Sequence, residues 1–141
     1  MFKAKKVSVA VATAVVLGSL VSPSADAAPK NQARAVVQAD WLEKNIDDPK
    51  VRIIEVSTEA GLYERGHIKN AFKINWYTDL VDTVKRDIVP IGKFNTLITK
   101  AGIDKDTTVV FYGDKNNWFA AWGAWIFNQY GIEDVRLLDG G

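Results

Sequence analysis

The sequence Tyr-Glu-Arg-Gly-His-Ile-Lys-Asn-Ala-Phe-Lys-Ile, residues 63–74, decides how the fold of this chain is predicted. It follows Val51–Val56, whose length and β-branched residues are typical of a buried strand. It leads into a second apolar stretch, residues 72–76, which predicts the next strand. Gly66 gives the backbone between them extra conformational freedom, and His67, the only histidine of the chain, follows it. The stretch therefore predicts a connection between two strands that fixes one imidazole in place.

Strands and helices alternate along the rest of the chain. The helices are predicted to begin near residues 38–40, 90–92 and 118, and the strands to cover residues 51–56, 72–76, 107–112 and 135–138. Asp40 is predicted to cap the first helix, and Gly102 to end the second in a left-handed conformation, whereas residues 77–89 have no clear period. This alternation predicts an α/β fold, a parallel sheet with helices on both faces.

The predicted helix over residues 118–130 is apolar nearly all round. Its large apolar residues are Trp118, Phe119, Trp122, Trp125, Ile126, Phe127 and Tyr130. A helix of this composition has no polar face to turn toward water. One side is expected to pack on the sheet, and the rest to be covered by another helix or by a partner domain.

The first 28 residues are predicted to be a signal peptide. Three lysines lie within the first six residues, Val7–Val21 is an apolar run of 15 residues, and Ala25–Ala27 offers small residues for cleavage. A transmembrane anchor is the alternative, but the run is shorter than the ~20 residues needed to cross a bilayer, and Ser22-Pro23-Ser24 ends it at once. The protein is therefore expected to be exported, outside the cell or in the cell envelope, without membrane attachment after cleavage.

Charge and cysteine content exclude several classes of function. The first 28 residues hold three lysines and one aspartate, so the remainder carries 15 basic and 16 acidic side chains. Nucleic acids and anionic membranes bind clustered positive charge and are not expected as partners. The chain has no cysteine and one histidine, so neither disulfides nor a metal site are expected. Neither a Ser-His-Asp set nor a Gly-x-Gly-x-x-Gly loop is present, and no cofactor is expected.

Three ordered motifs of this sequence resemble the rhodanese (sulfurtransferase) family. They are Ile-Ile-Glu-Val with Arg-Gly-His-Ile-Lys-Asn-Ala at residues 53–56 and 65–71, Thr-Val-Val-Phe-Tyr at 108–112, and Val-Arg-Leu-Leu-Asp-Gly-Gly at 135–141. Residues 112–121 are most similar to the first, non-catalytic domain of two-domain thiosulfate sulfurtransferases. Lys69 and Asn70 depart from the more usual Gly-His-Ile-Pro-Gly-Ala. The resemblance implies a rhodanese-like domain over residues 35–141, truncated at its C-terminus, with a second, catalytic rhodanese domain as partner.

The chain differs from that family where the sulfur chemistry takes place. A sulfurtransferase of the family has a cysteine directly after the position of Tyr112, because the start of a helix stabilises a thiolate. This chain has Gly113 at that position. The resemblance therefore implies a degenerate active-site loop, residues 113–117, and no catalytic residue.

The polar residues of this loop have alternative interpretations. Asp114 could act as a nucleophile or general base, but a cap of the loop and the following helix is the favoured role. Lys115, Asn116 and Asn117 could donate hydrogen bonds to a small sulfur-containing anion. Asp114 would repel such an anion, and a solvated loop is the simpler interpretation of the three donors.

Arg65 and His67 also have two interpretations each. His67 either hydrogen-bonds to the backbone and fixes the turn, or faces the cleft between two domains, as the resemblance implies. Arg65 could bind thiosulfate or a carboxylate through its guanidinium. Alternatively it forms a surface ion pair with Glu59 or Glu64, which contributes little to stability. Both residues are candidates for a substrate or interdomain cleft.

The sequence is compatible with three functions. The first is the non-catalytic N-terminal domain of an exported thiosulfate or 3-mercaptopyruvate sulfurtransferase. The second is a freestanding, catalytically inactive rhodanese-fold module that binds a partner or an anion. The third, an anion hydrolase acting through Asp114 and His67, is disfavoured by the acidic loop. A second domain encoded beyond codon 141, with a cysteine after a Val-Val-x-Tyr strand, would distinguish the first two.

Overall fold

A computed structural model describes residues 35–141, and the predicted signal peptide lies outside these residues. In chain order the elements are β1 (Val36–Val37), α1 (Ala39–Asn45), β2 (Val51–Glu55), α2 (Leu62–Arg65), β3 (Phe72–Lys73), α3 (Trp76–Leu80), β4 (Val81–Asp82), β5 (Asp87–Ile88), α4 (Ile91–Ala101), β6 (Thr108–Tyr112), α5 (Trp118–Gln129) and β7 (Val135–Leu138). Five strands form one sheet in the order β1-β7-β6-β2-β3, and every neighbouring pair is parallel. Strands β4 and β5 form a separate antiparallel pair.

Successive residues of the central strands supply two cores, one on each face of the sheet. Ile54 and Phe111 belong to one cluster, which also contains buried residues of α3, α4 and α5. Ile53 and Val110 belong to the other, which contains Leu42 of α1 and the half-buried Tyr63 of α2. Because side chains alternate along a strand, both faces of β2 and β6 are covered. The predicted parallel α/β fold with helices on both faces is confirmed.

Helix α5 packs closely on β6 at a glycine. A Cβ placed on Gly123 would lie 2.9 Å from Phe111 Cε1. The absence of a side chain therefore lets the helix backbone approach the sheet, and Ile126 and Phe127 are buried beside this contact. Gly102 ends α4 in the predicted left-handed conformation, with φ of 68°.

Some local predictions were wrong. Gln38, not Asp40, is the N-cap of α1, and no side chain donates or accepts a capping bond there. The strand expected over residues 72–76 is limited to β3, because the Asn75 side chain accepts from Tyr77 N and Thr78 N and starts α3. Gly66 is extended, with φ of 167° and open space at its Cβ position. The connection therefore does not use the conformational freedom of that glycine.

Two regions without a sequence pattern have regular structure. Strand β1 was not predicted, and it pairs with β7 at one edge of the sheet. The unassigned residues 77–89 form the end of α3 and the β4–β5 pair. None of the helices formed by residues 35–141 has the length and apolarity that a membrane-crossing segment requires.

Candidate functional site

Neighbouring strands β2 and β6 bring two connecting segments to the same edge of the sheet. Glu55 and Tyr112, the last residues of these strands, are partners in the register. Val56 N donates to Tyr112 O at 2.9 Å, so the two chains stay together as they leave the sheet. The Tyr112 hydroxyl accepts from Ile68 N at 3.0 Å. The Tyr112 side chain therefore joins the 65–71 motif to β6, while Lys69 Nζ donates to Asp47 and Asn70 Nδ2 donates to Ile46 O, before β2 begins. The 113–117 loop begins at the carboxyl ends of β2 and β6, where ligands bind in open parallel sheets.

Gly113 occupies a position with no room for a side chain. A Cβ placed there would lie 2.1 Å from the carbonyl oxygen of Val56 and 2.9 Å from its carbonyl carbon. These are backbone atoms of the adjacent strand end and cannot rotate away as a side chain can. The space for a nucleophile directly after Tyr112 is therefore filled by the polypeptide itself.

Asp114 binds the segment that follows β2. Its carboxylate accepts from Thr58 N at 3.0 and 3.1 Å, from Thr58 Oγ1 at 3.0 Å and from Glu59 N at 3.0 Å. Burial opposes ionisation of this carboxyl, but these hydrogen bonds outweigh it and lower the pKa of Asp114 from its ordinary value of 3.8. The residue is not the predicted helix cap, since Asn117 is the N-cap of α5. It joins two loops instead.

Replacement of Asp114 by Asn tests this contact. The amide carries no charge and has only one acceptor oxygen. The free energy of unfolding at pH 7 should therefore fall by about 1 kcal/mol. Partial solvent access keeps this loss below that of a fully buried carboxylate. Because the pKa of Asp114 is lowered in the folded state, the difference should be complete above the ordinary value of 3.8 and should shrink as the pH falls below it, toward the lowered pKa. Urea unfolding of both proteins at pH 7 and pH 3 measures the effect. The exposed Asp139, which accepts from Gln38 Nε2, gives the control Asp139→Asn. A deficit of equal size at both pH values would contradict this account.

The next three residues form a left-handed run. The φ angles of Lys115, Asn116 and Asn117 are 53°, 55° and 61°, a conformation that asparagine tolerates better than lysine. Asn117 is fixed by its side chain, which accepts from Gly113 N at 2.9 Å and donates to Leu138 O at 2.7 Å. The expectation of a solvated loop is therefore wrong for Asn117, while Lys115 and Asn116 are exposed.

Arg65 and His67, both in the 65–71 motif, are exposed. Arg65 donates to Glu59 and, at 3.2 Å, to Ala60 O, so it binds the same segment as Asp114. His67 Nδ1 donates to Tyr63 O at 2.8 Å, and its ring stacks on the Tyr63 ring with 3.7 Å between centroids. The contacts of His67 match its turn-fixing interpretation, and the contact of Arg65 with Glu59 matches its interpretation as a surface ion pair.

A buried polar pair lies directly beneath the site, and its role was not predicted from the sequence. Glu55 is only 2% exposed, and its Oε2 accepts from the Tyr112 hydroxyl at 2.6 Å. Within the described residues, Glu55 Oε1 has no hydrogen-bond partner. Burial, followed by the bond to Glu55, raises the pKa of Tyr112. Glu55, the single acidic residue of β2, directly after Ile53 and Ile54, was the available signal for this pair.

The geometry restricts the chemistry of the site. Asp114 uses its carboxylate to bind backbone, so it is not free to attack a substrate or to accept its proton. Within residues 35–141, no group of three His, Cys, Asp or Glu side chains is placed to hold a metal ion. The exposed Arg65, His67, Lys115 and Asn116 can donate hydrogen bonds, but they offer no sulfur nucleophile.

Comparison with known proteins identifies relatives for most of the chain. The family model described as "Rhodanese-like domain" matches residues 38–141. A protein named "Putative thiosulfate sulfurtransferase" from Mycobacterium tuberculosis is 49% identical over 106 residues, which are 75% of this chain and 38% of the relative. "Sulfur carrier protein TtuD" from Thermus thermophilus is 48% identical over 106 residues, covering 75% of this chain and 37% of the relative. The chain thus spans well under half the length of these relatives.

Solved structures of similar fold also include sulfurtransferases. The 3-mercaptopyruvate sulfurtransferase SseA from Escherichia coli matches with a TM-score of 0.66 and 27% identity, over 77% of this chain and 45% of that one. YnjE matches with a TM-score of 0.67 and 31% identity, over 76% of this chain and 27% of that one. In both structures, more than half of the polypeptide has no counterpart here.

Proposed function

The chain belongs to the rhodanese-like family, and from this premise we propose that it is the non-catalytic N-terminal domain of an exported two-domain sulfurtransferase. The substrate of the whole enzyme would be thiosulfate or 3-mercaptopyruvate. The observation that carries the proposal is the closed position at Gly113 in a chain that has no cysteine. A persulfide needs a thiol, so the sulfur would be carried by a second domain.

The lengths of the relatives support a second domain. The matched region covers 37 to 38% of the Thermus and Mycobacterium proteins and 45% of SseA. A catalytic rhodanese domain of similar size would account for much of the remainder. In this arrangement, the exposed Arg65, His67 and Lys115 would lie at one wall of a cleft, where Lys115 could donate hydrogen bonds to an anionic sulfur donor, while Glu59 and Asp114 offset the positive charge of Arg65 and Lys115.

Export is the second part of the proposal. It rests on the basic start, the apolar run of residues 7–21 and the small residues at 25–27. Expression in a bacterial host that secretes proteins, followed by mass determination of the external product, tests it. A product beginning near residue 29 is expected, and a full-length product that stays inside the cell would contradict export.

The activity assay tests the main proposal directly. The purified 141-residue chain, given thiosulfate and cyanide, should form thiocyanate no faster than buffer, because no residue can accept the sulfane sulfur. The full product of the gene, translated beyond codon 141, should form thiocyanate or act on 3-mercaptopyruvate. Turnover by the 141-residue chain would contradict the proposed lack of catalysis. An intact gene that stops at codon 141 would contradict the two-domain assignment.

The alternative is a freestanding interaction module of the rhodanese fold. Exposed tryptophan side chains on α5 favour it, since large aromatic residues are enriched at protein interfaces. A gene that stops at codon 141 and saturable binding to another protein would distinguish this function from the first.

A further inference from the structure

Helix α5 has an exposed aromatic face opposite its buried side. Trp118 is 74% exposed and Trp125 is 46% exposed. Together with Ala121 and Trp122 they follow the spacing of one helix face, and we call these four residues the tryptophan stripe. The Trp122 and Trp125 rings stack with 5.1 Å between centroids. Side chains of this size seldom face water together without a partner.

Each end of the stripe adjoins an apolar hollow. The first is lined by Thr58, Trp76, Lys115, Trp118 and Phe119. The second is lined by Tyr77, Val81, Thr83, Arg86, Asp87, Ile88, Trp122 and Trp125. In both hollows aromatic and aliphatic side chains outnumber the charged ones. An aromatic centre with a few charges beside it is the arrangement found in protein interfaces.

The last residue of the sequence lies at the same place. A Cβ placed on Gly141 would be 2.9 Å from Gly113 O and 3.4 Å from Asn117 Oδ1. Asn117 is the N-cap of α5 and directly precedes Trp118. A polypeptide continuing from Gly141 would therefore begin beside the first residue of the stripe. Attachment at that point gives a following domain a high local concentration at the stripe, which a second copy of this chain would lack.

We propose that the tryptophan stripe is the docking surface for the catalytic rhodanese domain that follows Gly141, an inference that rests on the proposed function. The partner face would be apolar at its centre, to cover Trp118 and Trp125. It would carry an acidic side chain opposite Lys115, because Lys115 is the only charged residue among those of 35–141 that line the first hollow. Docking there would place the second domain over the edge that carries the Gly113 loop.

Hydroxyl-radical footprinting tests the docking surface residue by residue. The 141-residue chain and the full product of its gene are oxidised side by side, and peptides are quantified by mass spectrometry. Modification of Trp118 and Trp125 should fall about fivefold or more in the longer protein, as expected for side chains moved into an interface core. Ile91, an exposed apolar residue at the start of α4, lies outside both hollows and should react equally in the two proteins.

Substitution gives the second measurement. In the full gene product, Trp118→Ser with Trp125→Ser should split thermal unfolding into two transitions, while Ile91→Ser should leave one. Equal oxidation of Trp118 in both proteins would overturn the docking surface while leaving the two-domain function intact. Dimers of the 141-residue chain that the tryptophan substitutions abolish would overturn it in favour of a second copy. A gene that stops at codon 141 would overturn the docking surface and the two-domain function together.

Discussion

Gly113→Cys should destabilise the protein strongly and should not create a sulfurtransferase. The new Cβ would meet the Val56 carbonyl oxygen at 2.1 Å. The same residue, Val56, follows β2 directly, and its N–H donates to Tyr112 O at the end of β6 at 2.9 Å. Moving it would break pairing between β2 and β6. The expected loss of unfolding free energy is about 3 kcal/mol, at the upper end of the range for overpacked sites.

Denaturant unfolding followed by tryptophan fluorescence measures this loss. Gly113→Ala should cost a similar amount, because the clash arises at Cβ. The matched control is Gly92→Ala, since a Cβ on Gly92 has nothing within 4 Å. Gly92 lies in α4, where alanine should stabilise the helix by about 0.5–1 kcal/mol. A Gly113→Cys protein with the stability of the wild type, or one that forms thiocyanate, would show that the segment after β2 can move aside.

Tyr112→Phe should have the second largest effect. The substitution removes the hydrogen-bond partner of Glu55 Oε2, and Glu55 Oε1 has none within the described residues. A carboxyl group that is 2% exposed would then be buried without a partner. Ile68 N would also lose its acceptor. The expected loss of unfolding free energy is about 3 kcal/mol.

Tyr63→Phe is the matched control for this prediction. Its hydroxyl donates to a backbone oxygen, Ala71 O, at 2.8 Å, so its loss should cost only about 1 kcal/mol. In the double variant Glu55→Leu/Tyr112→Phe both polar partners are replaced by apolar groups, and much of the stability should return. If the double variant is less stable than Tyr112→Phe alone, the destabilisation of Tyr112→Phe does not come from the unpaired carboxyl group of Glu55.

The central strands and α5 could be predicted because their patterns are local and strong. Strand β7 has the predicted bounds, and the strand over residues 51–56 extends only one residue beyond β2. Strand β1 has two residues, too few for any periodicity to be visible. Asn75 shows how a short polar side chain ends a strand that apolar content alone would extend.

The chemistry of the site was less predictable than its place. The absence of cysteine at residue 113 is visible in the sequence, but the clash with Val56 depends on how two strand ends pack. Asp114 binds Thr58, which is 56 residues away, and Asn117 binds Leu138, which is 21 residues away. Contacts between distant residues leave no local pattern, so the sequence alone favours a cap of the loop and the following helix for this carboxylate.

The shortness of β1 and β3 affects how the sheet behaves in concentrated solution. They are the two outer strands, and each has only two residues. An outer strand offers free backbone amides and carbonyls to a neighbouring molecule, and long flat ones can start fibril growth. Here each outer strand exposes the backbone groups of only two residues, and Lys73 adds a charge to β3. The fold therefore limits aggregation through its sheet edges without a disulfide to protect them.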